Sequence, residues 1–197
     1  MTQRLGDDAL KQLFLEARTH NAWQKKDVPD SALREIVDLM KMGPTSANCL
    51  PARILFLKSD AAKQRIAPFL SEANRTKSLA APVCAIIGHD TAFYEHLPRL
   101  FPHNQDARTW FEGKPEVIQA TVMRNGSLQG AYLMLAARAL GLDCGPMSGF
   151  DNAGVDKEFF PDGRVKSNFV CNFGYGDPAG LFARSPRFAF DEIAKIM

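Results

Sequence analysis

Residues 128–140 read Leu-Gln-Gly-Ala-Tyr-Leu-Met-Leu-Ala-Ala-Arg-Ala-Leu, and they form the second half of a long helix that the spacing predicts over 116–141. This half is apolar on nearly every side, and a helix apolar all round has to be buried all round. In a chain of 197 residues that leaves a central core helix or a helix shared with a second subunit. The small alanines favour close helix packing. A second constraint is the run Val83-Cys84-Ala85-Ile86-Ile87-Gly88, opened by Pro82 and apolar throughout. A strand of that kind is usually buried on both faces.

The remaining pattern is helices first and strands scattered. Helical spacing covers 7–20, with Asp7 or Asp8 able to cap it, and a second helix capped by Asp30 or Ser31 and ended by Gly43-Pro44. A short apolar strand at 54–57 precedes helical stretches at 60–69 and 71–78. Residues 90–115 lose regularity and collect Phe93, Tyr94, Phe101, His103, Trp110 and Phe111 among prolines and charges, which reads as helical pieces forming a flap. Gly141 is a C-cap candidate. After it come a short strand, a turn at 145–150, a helix capped by Asn152 and a strand at 168–175. This order argues α+β over a doubly wound parallel sheet.

At this length one domain spanning 1–197 is expected, burying roughly two-thirds of the unfolded surface. Apolar residues make up 46% and charged residues 23%, close to the globular average. The formal net charge is +2, without a basic run or stripe, so nucleic acid is not an expected partner. No apolar run reaches the ~20 residues a membrane helix needs, and the N-terminus lacks the basic and apolar regions of a signal peptide. Cys49, Cys84, Cys144 and Cys171 form no CxxC pair and no zinc-ligand spacing, which suits free thiols in a cytoplasmic protein. The four histidines never pair at helical spacing, so no metal site is expected; His89 and His96 are expected at the surface.

The stretch Gly43-Pro44-Thr45-Ser46-Ala47-Asn48-Cys49-Leu50-Pro51 carries small, turn-forming and hydrogen-bonding residues. It holds no strong acid, and its one nucleophile, Cys49, has no basic neighbour within it. Such a loop suits gripping a planar polar heterocycle or a phosphate. P-loop, GxGxxG, GxSxG and HExxH signatures are absent. An enzyme built from this chain has to borrow its reactivity from a cofactor, and no side chain is assigned a catalytic role of its own. Arg18 near one terminus, with Arg184 and Arg187 near the other, supplies forks suited to a phosphate. Loop and arginines together point towards a flavin.

On these residues the chain resembles the FMN-dependent nitroreductase superfamily over nearly its whole length, in particular its malonic semialdehyde reductase branch. Arg18-Thr19-His20-Asn21 stands where the family has its Arg-x-Ser type motif. Pro44-Thr45-Ser46-Ala47-Asn48-Cys49-Leu50-Pro51-Ala52 stands for its Pro-Ser-Ser-x-Asn-x-Gln-Pro-Trp, and Asn74-Arg75-Thr76-Lys77 for its Asn-x-x-Lys. The run from Gly141 to Phe150 matches Gly-Leu-Asp-x-x-Pro-Ile-Glu-Gly-Phe, and Ala183-Arg184-Ser185-Pro186-Arg187 is the basic tail motif. Leu50, Ala52 and Ser148 replace the usual Gln, Trp and Glu.

The resemblance implies a nitroreductase-like fold, with a mixed central sheet flanked by helices, and an intertwined homodimer carrying two flavins at its interface. It also implies FMN as cofactor and NADH or NADPH as hydride donor. Hydride would pass by a ping-pong route to a small-molecule acceptor, malonic semialdehyde in the named branch and nitroarenes or quinones more generally. Arg18, Arg184 and Arg187 are then expected around the phosphate and ribityl chain, with His20 of the first motif as a further cofactor-binding candidate. Pro44, Thr45, Ser46 and Asn48 would line one side of the ring, with Asn74 at its edge and Pro146, Met147, Ser148 and Gly149 on the other side. Lys77 or a flap arginine, Arg99 or Arg108, is the candidate partner for a substrate carboxylate, and Trp110 and Phe111 are candidate roofs. A non-catalytic flavin-binding protein and a purely structural dimerisation module stand as alternatives.

Overall fold

The computed structural model describes residues 3–197. Four strands, β1 (Ala52–Leu57), β2 (Val83–Asp90), β3 (Asp143–Met147) and β4 (Val165–Gly174), form a sheet in the order β1-β2-β4-β3. All neighbouring strands run antiparallel. The parallel component of the sheet is one bridge, Thr19 to Cys144, which adds the N-terminal segment to the β3 edge.

All eight residues of β2 are buried: the apolar run 83–88 requires it, and the polar His89 and Asp90 are buried with it. Because side chains alternate along a strand, Val83, Ala85 and Ile87 face one helical layer and Cys84 and Ile86 the other. The first layer is α2 (Asp30–Met40) and α6 (Pro115–Ala139), which contribute Leu33, Ile36, Met40, Leu133 and Ala137. The second includes α3 (Asp60–Ile66) and α7 (Asn152–Phe159), which contribute Ile66 and Val155. A third cluster, Cys49, Phe93, Leu97, Ala107, Phe111 and Val122, binds the expected flap to α6 and to the loop that holds Cys49. The flap is made of short helical pieces, Phe93–His96, Leu97–Leu100 and Gln105–Trp110.

Several expectations need correction. The helix over 7–20 is shorter: a single α turn, α1 (Asp7–Leu10), runs into a wider π-helical turn, Lys11–Leu15. Arg18 therefore follows the helix in extended chain. Pairing decides this, because the His20 N–H donates to the Cys144 carbonyl at 3.0 Å. The side-chain caps expected of α1 and α2 are not formed; the Asp30 carboxylate accepts from Lys58 Nζ at 2.7 Å instead. His89 is not at the surface: it is 2% exposed, on β2 beneath α6. Gly126 of α6 lies directly over it, and a Cβ there would sit in ordinary contact, 3.4 Å from the His89 Cβ.

The apolar half of α6 is buried only in part. Leu133, Ala136 and Ala137 reach the core, whereas Leu128 is 45% exposed and Tyr132 39%. Of the two arrangements open to this helix, the chain alone supplies only one side of the cover. The tail is similar: Phe182, Phe188, Phe190, Ile193 and Ile196 are all exposed. Among the described residues no helix is long and apolar enough to cross a membrane.

Candidate functional site

The loop after Gly43 is the most strained backbone in the structure. Ala47, Asn48 and Leu50 take φ of 50°, 49° and 39°, a left-handed region that side chains with a Cβ avoid. Hydrogen bonds hold it there. The Ser46 N–H donates to Asn125 Oδ1 at 2.9 Å, the Leu50 N–H to Thr45 Oγ1 at 3.2 Å, and the Asn48 amide to the Leu100 carbonyl at 2.8 Å. The Ala52 N–H donates to Gln129 Oε1 at 2.8 Å. Asn125 and Gln129 are 1% and 2% exposed, so their amides are committed to this task. Gly43 lets the loop settle on Tyr132, whose ring would meet a Cβ there at 2.6 Å. Burial pushes the Cys49 thiol up to about 11 despite a hydrogen bond with Thr45. It stays protonated near neutrality and is no thiolate nucleophile.

The expected arginines meet at the other end of the molecule. Arg18, Arg184 and Arg187 line a cleft of about 270 Å³ with Thr19 and Asn21, and a fourth arginine, Arg138, joins them. No carboxylate lines the cleft, and among the described residues none of the four is in an ion pair. Each donates to backbone carbonyls instead: Arg18 to Phe182 at 2.6 Å, Arg184 to Ala17 at 3.2 Å, Arg138 to Leu13 at 3.2 Å, and Arg187 to Ser185 and Pro186, both at 3.0 Å. A guanidinium has five N–H donors, so most remain available to an anion. His20 does not line this cleft. It is 7% exposed, points Nε2 at the Asp143 carboxylate at 3.3 Å, and packs against Gly176.

A separate hollow of about 380 Å³ is lined by Pro146, Met147, Ser148, Ser127, Ala131, Met134 and Phe169. Asn74 steadies its rim by donating to the Gly149 carbonyl at 3.0 Å, to which the Ser71 N–H also donates at 3.0 Å. Lys77, on α4 (Glu72–Ala80), follows Asn74 at i+3 and so shares its face. Phe111 is 7% exposed and packs edge-on against Phe93 with ring centres 4.9 Å apart, so it belongs to the flap core. Trp110 keeps 44% of its surface exposed. Arg108 is paired with Glu112 at 2.5 Å, which leaves Lys77 and Arg99 as the less committed cations.

Helix α6 organises all three regions. At about 100° per residue, Asn125, Gln129 and Tyr132 (i, i+4, i+7) form one stripe, against which the loop rests. Ser127, Ala131, Met134 and Arg138 form a second stripe roughly half a turn away. That stripe lines the hollow and ends in the arginine cleft, about 16 Å along the helix from Ser127 to Arg138. Hollow and cleft therefore belong to one surface, and the same chain's loop lies on the opposite face. Sequence reasoning missed Asn125, Gln129 and Arg138. For Gln129 and Arg138 the available signal was polarity within the apolar stretch 128–140; Asn125, beside Arg124 in the more polar half of the helix, gave none.

The nitroreductase family model matches residues 15–175. A Burkholderia lata protein with the provisional name NADH dehydrogenase/NAD(P)H nitroreductase is 64% identical over 192 residues, 98% of each chain. Among solved structures, a Bacillus subtilis nitroreductase superposes with a TM-score of 0.87 at 18% identity, covering 98% of this chain and 100% of the other. An Exiguobacterium sibiricum nitroreductase solved in complex with FMN gives 0.85, also at 18% identity, with full coverage of both chains. The fold is nitroreductase-like.

Proposed function

The chain belongs to the nitroreductase family, and from that premise we propose that it is an FMN-dependent NAD(P)H oxidoreductase acting as a cytoplasmic homodimer. The observation that carries the reading is the carboxylate-free arginine cleft, continuous along α6 with a hollow rimmed by Pro146, Met147 and Ser148. A phosphate fits the cleft because planar forks bind its oxygens in pairs. A flavin ring suits the hollow, where Ala131, Met134 and Phe169 supply an apolar wall. The bound cofactor supplies hydride transfer between nicotinamide and acceptor.

The chain's own residues do the holding and positioning. Arg18, Arg184 and Arg187 fix the phosphate end. His20, buried beside Asp143 and paired with the Cys144 carbonyl, would position the Arg18-Thr19 segment that helps hold the cofactor. Asn74 fixes the Pro146-to-Gly149 turn at the ring. Pro44, Thr45, Ser46 and Asn48 serve the ring of the partner's flavin. The opposed stripes of α6 argue for this assignment, since one chain cannot turn both faces to one ligand. A second copy also supplies cover for Leu128, Tyr132 and the apolar tail, which stand exposed in the single chain.

For the acceptor, the resemblance to the semialdehyde reductase branch favours malonic semialdehyde. Lys77 or Arg99 would pair its carboxylate and Trp110 would close over it, with Phe111 bracing Trp110 from the flap core. A nitroarene or quinone acceptor is the second reading, favoured by the name of the Burkholderia relative.

An anaerobic visible spectrum of the protein reconstituted with FMN, taken before and after NADPH or NADH and again after acceptor, tests both levels. Bleaching that recovers on malonic semialdehyde supports the full reading. Recovery only on nitroarenes or quinones supports the second. A bound flavin that neither nicotinamide bleaches would instead mark a flavin-binding protein without this activity.

A further inference from the structure

We propose that Arg138 is a phosphate-binding arginine of this flavin site, delivered by the core helix and not by either terminus, and that it helps the protein prefer a phosphorylated flavin to riboflavin. This rests on the FMN reading above. Arg138 is the one charged residue in 128–140 and lies in the last turn of α6. Two structural roles account for part of it: a cation there favours the helix dipole, and one of its N–H groups donates to the Leu13 carbonyl.

Neither role explains why the side chain lines a cleft already holding three other guanidiniums without an acid to offset them. Like charges crowded in this way repel, and the repulsion is relieved when an anion enters. Position adds the second argument. Arg138 terminates the Ser127, Ala131, Met134 stripe, so a ligand whose ring lies in the hollow meets this arginine at its far end. A monoester dianion there takes paired charge-assisted bonds from a rigid helix as well as from two chain ends.

The test is the dissociation constant of FMN and of riboflavin for the wild-type protein and for Arg138→Met and Arg138→Lys, by quenching of flavin fluorescence. Thermal unfolding of each variant is measured alongside. Arg138→Met should weaken FMN about 10- to 100-fold, as loss of a charge-assisted hydrogen bond does, and leave riboflavin within about twofold. Arg138→Lys should fall between, because it keeps the charge and loses the fork.

Equal weakening of both flavins, or no change in either, would overturn the proposal and leave Arg138 a helix-end residue. Should Arg138→Met fail to fold, Arg138→Lys carries the same FMN-to-riboflavin comparison. A wild-type protein that binds neither flavin would overturn the FMN reading itself. One that binds FMN over riboflavin while Arg138→Met keeps that preference would overturn only the role of Arg138.

Discussion

The loop at 44–50 and the arginine cleft are both binding regions by composition, yet they are built in opposite ways. In the loop, the N–H groups of Ser46 and Leu50 and the Asn48 amide already have partners within the chain. The left-handed residues are held in place by buried amides of α6. It is a finished, rigid surface. The cleft has four cations, no acid and contacts only to carbonyls, so it is electrostatically incomplete until an anion arrives. The first region provides shape and the second provides charge, and one helix carries the supports of both on opposite faces.

The contrast predicts different consequences of mutation. The largest effect belongs to the cleft. Arg18→Ala combined with Arg184→Ala should weaken FMN more than about 100-fold and riboflavin little, measured by flavin fluorescence. A parallel loss for riboflavin would mean that these arginines shape the site and do not read the phosphate. Asn125→Ala should behave in the opposite sense. It strands the Ser46 N–H, lowering stability by about 1–3 kcal/mol in denaturant unfolding, and it should weaken both flavins alike.

A smaller effect concerns pH. Burial holds the His89 imidazole below its usual range, and neither ring nitrogen has a hydrogen-bond partner. The unfolded chain therefore takes up this proton first, and stability should fall as pH drops below about 6.5. His89→Leu should flatten the stability curve just below about pH 6.5. Asp90 acts lower on the scale. Burial pushes its carboxyl up, but hydrogen bonds from Arg164 and the Ala92 N–H, with the charges of Arg53 and Arg164, outweigh that and hold it below the usual carboxylate range. Its contribution is complete above about pH 4 and is lost on further acidification, so the acid limb below that should survive in His89→Leu. The smallest effect is at Cys49. With its thiol pushed up to about 11, Cys49→Ala should leave flavin binding within about twofold of wild type.

The sequence made the buried strand and the cleft arginines legible for physical reasons. β2 is apolar along 83–88 because both its faces are covered, and an arginine is conspicuous where few charges surround it in sequence. What stayed hidden was contextual. The first helix stops early because Thr19 and His20 pair with Cys144, a contact 125 residues away in sequence that no local pattern encodes. His89 looked like a surface residue because polarity is usually exposed, and only the packing of α6 over β2 buries it. Arg138 sat in plain view, and counting apolar positions passed over the one charged residue in the stretch. The burial expected on every side of 128–140 is met on one side by the chain and on the other, in the dimer proposed, by a second copy.

The most direct measurement asks whether one flavin site is built from two chains. Arg18→Ala/Arg184→Ala, defective in the cleft, and Thr45→Ala/Asn48→Ala, defective in the loop, are co-expressed with different tags. The mixed species is purified through both tags and titrated with FMN. If the cleft of one copy serves with the loop of the other, the mixed dimer has one site with both defects and one with none, and it should bind one FMN per dimer at wild-type affinity. If each chain builds its own site, every site in the mixture carries a defect, and the absence of any wild-type-affinity binding would contradict the account.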